Sequence, residues 1–220
     1  MIEVVENPER DLALSYAPTA NRAGLLALLA LDDALAKLLR TTREPAVGQM
    51  RLAWWREALE KLDRAPAPAE PVLRAIEAEV LPRGVTGASL VPIVHGWEVL
   101  IEEDVLEADA IRRFGEGRGH VFVAAGALLG ARDSDPLAKA GQGWAMADLG
   151  RNLEAEDERA IARDLAAPLL AEVGAVRWSR PVRALGALAH LARMDLAETP
   201  KPAGAPGRVG RLLWHRLTGR

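Results

Sequence analysis

Residues 22–40 read RAGLLALLALDDALAKLLR, so a helix built from them carries Leu or Ala on most of its faces. A helix that is apolar nearly all round has no solvent face to offer and must sit inside a bundle of other helices. The flanking residues frame it. Asn21 is placed to cap its start, and Glu44-Pro45 stops it, since proline breaks the ladder and can open the next helix at its first position. Ala, Leu, Glu and Arg dominate the rest of the chain while β-branched and aromatic clusters are scarce, which favours helix nearly throughout. Helices are expected over 46–63, 69–80, 86–103, 107–130, 135–158, 165–174, 179–196 and 208–217, with Ala65–Pro68 as a stiff connector. Gly130, Gly174 and the stretch Pro200–Gly207 supply the punctuation. The expected organisation is one all-α domain over residues 1–198, followed at 199–220 by a Pro/Gly linker and a basic terminal helix.

The bulk numbers exclude several functions. A net charge of −3 implies no polyanion partner, and no basic patch interleaved with aromatics is present, so nucleic acid is not expected. The absence of cysteine removes disulfides, thiolate metal sites and a cysteine nucleophile. The four histidines, at 95, 120, 190 and 215, show no i,i+4 pairing suited to zinc; His95 and His120 read as hydrogen-bonded core or cavity residues. No apolar run is long enough to span a bilayer, and the acidic start Met1–Glu6 does not resemble a signal peptide. The expectation is a cytoplasmic protein. Lys201, Arg208, Arg211, His215, Arg216 and Arg220 follow Glu198 without another acid, and read either as a solvated basic end or as a peripheral contact with anionic lipid, at an inner membrane, or with an acidic partner.

Two local features stand out. Val47–Leu59 places Trp54 and Trp55 side by side between Arg51 and Arg56. Neighbours on a helix are turned by about 100°, so one ring is expected to enter the core and the other to pack sideways, on a buried helix with several partners. Gly115, Gly117 and Gly119 alternate inside an apparently helical region. They follow no strand and lack the lysine and hydroxyl of a phosphate loop, so they are read as points where helices approach closely, or as a kink.

The segment GQMRLAWWREAL resembles the corresponding helix of the squalene/phytoene synthase family, in particular its short, divergent bacterial branch related to a mitochondrial complex I assembly factor. Glu9–Leu14 with Ala17-Pro18 and Arg22 resembles the family's opening. Gly96–Ala131 resembles its central helices, and Ala140–Ala175 the segment holding its second acidic motif. The resemblance implies an isoprenoid-synthase-like helical bundle around a central cavity. It also implies the family's reaction, in which two acidic stretches face each other, bind Mg²⁺ and hold prenyl diphosphates for head-to-head condensation. A departing diphosphate needs its charge neutralised, and Mg²⁺ between carboxylate oxygens does this.

On this sequence the metal ligands implied by the resemblance are Asp32 and Asp33 at the first motif and Asp148, Asn152 and Glu156 at the second. The first motif has lost its i,i+4 acidic pair: Ala36 follows Asp32 by four and Lys37 follows Asp33, where it can form an ordinary intrahelical ion pair. The second keeps oxygen-bearing side chains at i, i+4 and i+8, on one face of the single helix expected there. A solvated acidic face accounts for the same residues. Arg51, Arg151, Arg159 and Arg163 are the candidate substrate-binding cations, while the aromatic and proline of the following loop are missing. Loss of one metal clamp would remove many orders of magnitude of rate. Three functions follow: a catalytically degenerate member that binds a prenyl or lipid ligand, or helps assemble a respiratory complex through one of its subunits; a Mg²⁺-dependent prenyltransferase; and a helical interaction module with a filled interior.

Overall fold

In the computed structural model, which describes residues 8–197 and 199–220, the apolar stretch forms α2 (Thr19–Thr41), with Leu25, Leu28, Leu31 and Leu35 fully buried. Asn21 does not cap it. The helix starts two residues earlier, and the Asn21 amide donates to the Leu128 carbonyl at 2.8 Å, satisfying the end of another helix. The remaining helices are α1 (Pro8–Leu14), α3 (Pro45–Lys61), α4 (Pro71–Glu79), α5 (Val91–Glu102), α6 (Ala108–Leu129), α7 (Leu137–Asn152), α8 (Glu156–Ala175), α9 (Arg183–Asp195) and α10 (Pro206–Thr218). No strand occurs among the described residues, and the fold is all-α as expected. Prolines open α3, α4, α5 and α10 near their first position, where the missing N–H costs nothing. Gly130 ends α6 at φ 80°, a left-handed turn that suits glycine. The acidic start Met1–Glu6 and Glu198 lie outside the described residues.

The central element is α6, packed between α5 and α7. The alternating glycines make that packing close. A Cβ on Gly117 would lie 2.5 Å from the Gly96 backbone of α5, and one on Gly119 would lie 2.5 Å from the Gly141 backbone of α7. Real Cβ atoms do not come this near backbone, so the helices touch main chain to main chain. Around this slab α2 packs on α4 and α6, α3 on α5, and α7 on α8 and α9, while α1 and α10 both rest on α9.

Three expectations need correction. The single helix foreseen over 135–158 is two: the chain turns extended at Leu153, and α8 begins at Glu156. Glu156, Asp157 and Glu158 fill its first turn, where carboxylates complement the helix dipole, and Gly174 lies inside its last turn rather than after it. The tandem-tryptophan helix α3 is peripheral, with one buried face: Trp55 is in the core, and Trp54 stays 46% exposed at an edge-on contact with it. The basic end is docked by one face and solvated on the other. Arg208, Leu212 and His215 of α10 are buried, and the Trp178 N–H donates to the Gly219 carbonyl at 2.7 Å, while Lys201, Arg216 and Arg220 stay exposed.

Candidate functional site

A cleft of about 1060 Å³ opens between α2, the start of α3, α5, α6, α7 and α9. Leu29, Leu39, Leu100, Ile101, Leu149, Leu153 and Leu191 line its apolar walls. A filled interior is therefore not what this chain has, and the volume lies at the upper end of ordinary ligand sites.

Arg118 lies at the inner end of the cleft, between Gly117 and Gly119, and is 5% exposed. The close approach that those glycines permit brings Trp97 of α5 and Trp144 of α7 onto its guanidinium, whose carbon lies 4.6 and 4.5 Å from the two ring centroids. Its Nε donates to Asp32 Oδ1 at 2.9 Å and its Nη2 to Asp32 Oδ2 at 2.9 Å, a bidentate pair. Its Nη1 donates to Asp148 Oδ2 at 2.6 Å. The indole N–H of Trp97 adds a bond to Asp32 Oδ1 at 3.0 Å. The first and second acidic positions thus face each other across the cleft, joined by an arginine. Burial works against the charge on Arg118, but Asp32 and Asp148 outweigh it and hold its pKa above the ordinary guanidinium value. Burial likewise raises the Asp148 carboxyl, and Arg118 and Arg151 overcome this to hold it below the usual carboxylate range.

From Asp148 the ion pairs continue along the cleft. Arg151 bonds Asp148 at 2.8 Å and Asp195 of α9 at 2.7 Å. Arg208 Nη1 lies 2.7 Å from Asp195 Oδ1, in ionic contact but off the hydrogen-bond line, while its Nε and Nη2 grip Glu9 of α1 at 3.0 and 2.7 Å. Glu9, Arg208, Asp195, Arg151, Asp148, Arg118 and Asp32 form one chain of alternating charge that ties five helices and α10 together. The Arg208 hydrogen bond leads in lowering the Glu9 pKa, against burial.

The residues proposed for Mg²⁺ each have another partner in this structure. Asp32 turns both oxygens to Arg118, while Asp148 accepts from Arg118 at Oδ2 and from Arg151 at Oδ1. Asp33 is exposed and pairs with Arg10 at 2.8 Å rather than with Lys37. The Asn152 amide donates back to the Asp148 carbonyl at 2.7 Å. Glu156 cannot share a face with Asp148 and Asn152, because α7 ends at Asn152; it is exposed and pairs with Arg159. Among the described residues no group of three His, Cys, Asp or Glu converges as a metal would need. Of the four candidate substrate-binding arginines only Arg151 reaches the cleft. Arg51 donates to Thr42 at 3.0 Å and lines a separate hollow beside Trp54 and Trp55. Arg159 is held by Glu156 on α8, and Arg163 is exposed on α8, outside the cleft lining.

Sequence reasoning missed Arg118, Arg40 and Arg43. The signal for Arg118 was its place between two glycines that each meet a neighbouring helix. Arg40, in the last turn of α2, and Arg43, in the connection to α3, line the cleft mouth and have no ion-pair partner among the described residues. His95 is exposed rather than in the core, whereas His120 is half-buried and burial lowers its pKa. No single helix among the described residues is long and apolar enough to cross a membrane.

Searches of curated proteins and of solved structures gave no significant match. The squalene/phytoene synthase family model matches residues 7–118, from the opening through the first acidic position to Arg118 itself, and stops before the second acidic segment. That match covers half of the sequence and runs in order from α1 to the middle of α6, so the chain belongs to the squalene/phytoene synthase family.

Proposed function

We propose that this protein is a non-catalytic member of its family that binds one prenyl or lipid ligand in the cleft without magnesium. The observation that carries this reading is Arg118, whose guanidinium already neutralises Asp32 and Asp148 from within. A fixed cation between the two acids removes the electrostatic reason for a metal there. It is also a side chain with all three nitrogens hydrogen-bonded to Asp32 or Asp148, so it cannot follow a departing diphosphate as a metal ion can. The head group of the ligand is held at the mouth instead, where Arg40 and Arg43 carry uncommitted charge, and its apolar tail follows Leu39, Leu100 and Ile101 inward. Arginine suits this task, since its planar fork recognises phosphate oxygens directly.

The test is incubation of the purified protein with farnesyl or geranylgeranyl diphosphate and Mg²⁺, with assays for released diphosphate and hydrocarbon product. Neither is expected; turnover would establish the Mg²⁺-dependent prenyltransferase and remove this reading. A respiratory-complex subunit as protein partner rests on the resemblance to the short divergent branch, and co-purification from native membranes tests it.

A further inference from the structure

The helix α10 has two unlike faces. Arg208, Leu212 and His215 point into the protein. Gly210, Leu213, Trp214 and Leu217 recur at i, i+3, i+4 and i+7 and so share the outer face. On that face Leu213 is 43% exposed, Trp214 56% and Leu217 76%, three large apolar side chains within five residues. Of the other large exposed apolar residues, Met50 and Trp54 form a smaller pair at i,i+4 on α3, and Leu26 and Val105 stand singly; single ones need no explanation.

The surroundings of this stripe are basic. Residues 199–220 contain no acid, and neither do residues 173–194, which include the turn leading into α9. These two stretches meet at the end of α10. Arg177 Nε donates to the Thr218 carbonyl at 3.2 Å, and Arg183 Nη1 to the Arg216 carbonyl at 2.5 Å. Arg177, Arg180, Arg216 and Arg220 are all exposed there. The cluster is tight: burial first, and then the charges of Arg177 and Arg180, push the Arg183 pKa down.

We propose that this face of α10 docks the protein on an anionic lipid bilayer, with Leu213, Trp214 and Leu217 entering the boundary between head groups and acyl chains, and Arg177, Arg180, Arg216 and Arg220 meeting lipid phosphates. Three arguments favour a bilayer over a protein. The apolar stripe is one helix face of three large side chains, well short of the roughly 800 Å² per partner of a stable protein interface. A second copy placed by two-fold symmetry would bring the two arginine clusters together, which like charge opposes. Finally, a helix with Trp and Leu on one side and arginines beside them matches an interfacial helix, whose basic residues reach the phosphates while the indole sits at the interface. The inference does not depend on what occupies the cleft, although α10 also lends Arg208 to its wall.

Flotation of the full chain with phosphatidylcholine vesicles, and with vesicles that also contain phosphatidylglycerol, tests it. Binding is expected only with phosphatidylglycerol and is expected to weaken with salt. Trp214→Ser should weaken it at least about tenfold, and Arg180→Gln with Arg220→Gln about tenfold. All three positions are exposed, and unchanged melting temperatures verify that the variants fold. Absence of binding to anionic vesicles, equal binding to neutral ones, or binding unaffected by Trp214→Ser would each overturn the proposal. So would a dimer in solution that Trp214→Ser dissociates, since the face would then belong to a second copy.

Discussion

Replacing Arg118 by methionine separates the two things this side chain does. Methionine keeps much of the stem volume between Trp97 and Trp144 but removes four close contacts to carboxylate oxygens, three on Asp32 and one on Asp148. Asp32 is 2% exposed, so it would be left as a buried charge with only the Trp97 N–H against it. Removing one partner of a buried pair in this way costs about 3–5 kcal/mol, and lost cation–π stacking adds about 1–2 kcal/mol. For a chain of this size that lowers the melting temperature by roughly 10–20 °C. Circular-dichroism melts at about pH 7 check this. Adding Asp32→Asn and Asp148→Asn should recover most of the stability, since no buried charge is then left unpaired. A melting temperature close to that of wild type, or no recovery in the triple variant, would refute the charge-neutralising role of Arg118.

Other perturbations test the frame around the site. Gly119→Ala sets a Cβ 2.5 Å from the Gly141 carbonyl carbon, which cannot yield without parting α6 and α7; a loss of about 3 kcal/mol or more is expected in denaturant melts. Burial, with added repulsion from neighbouring charges that include Arg211, pushes the pKa values of His190 and His215 down to about 3 and about 4. Their folded values lie below the unfolded one, so stability is full above about pH 6.5 and falls below it by up to about 3 kcal/mol per pH unit for the pair. Acid melts check this, and His190→Leu should remove about half the slope. Glu9→Gln should loosen α10 from α1, since Arg208 would keep only Asp195 as an ionic partner; faster amide exchange in α10 with little change in α6 is the expected readout.

The architecture was legible because helix periodicity, opening prolines and the glycine series are local signals. Gly115–Gly119 was expected to mark close helix approach, and Gly117 and Gly119 each meet a neighbouring backbone. The break at Leu153 was not legible, since no proline marks it and the nearest glycine, Gly150, stays helical inside α7. The run Glu156–Glu158 was the available sign, and it reads equally as a metal-binding or a solvated face. That ambiguity carried over to the site. Asp148, Asn152 and Glu156 share a face only if the helix continues, and it does not. The pairing of Asp32 with Arg118 joins residues 86 apart, and no local pattern encodes it. The docking of α10 was hidden for the same reason, because the Glu9 that receives Arg208 lies at the far end of the chain.

The most direct measurement is calorimetric titration of farnesyl diphosphate into the full chain with and without Mg²⁺. Saturable binding is expected, with the same affinity in both and weakened when Arg40 and Arg43 are replaced by glutamine. Binding that requires Mg²⁺ would contradict it, because the two acids would then be available to a metal that Arg118 is argued to replace.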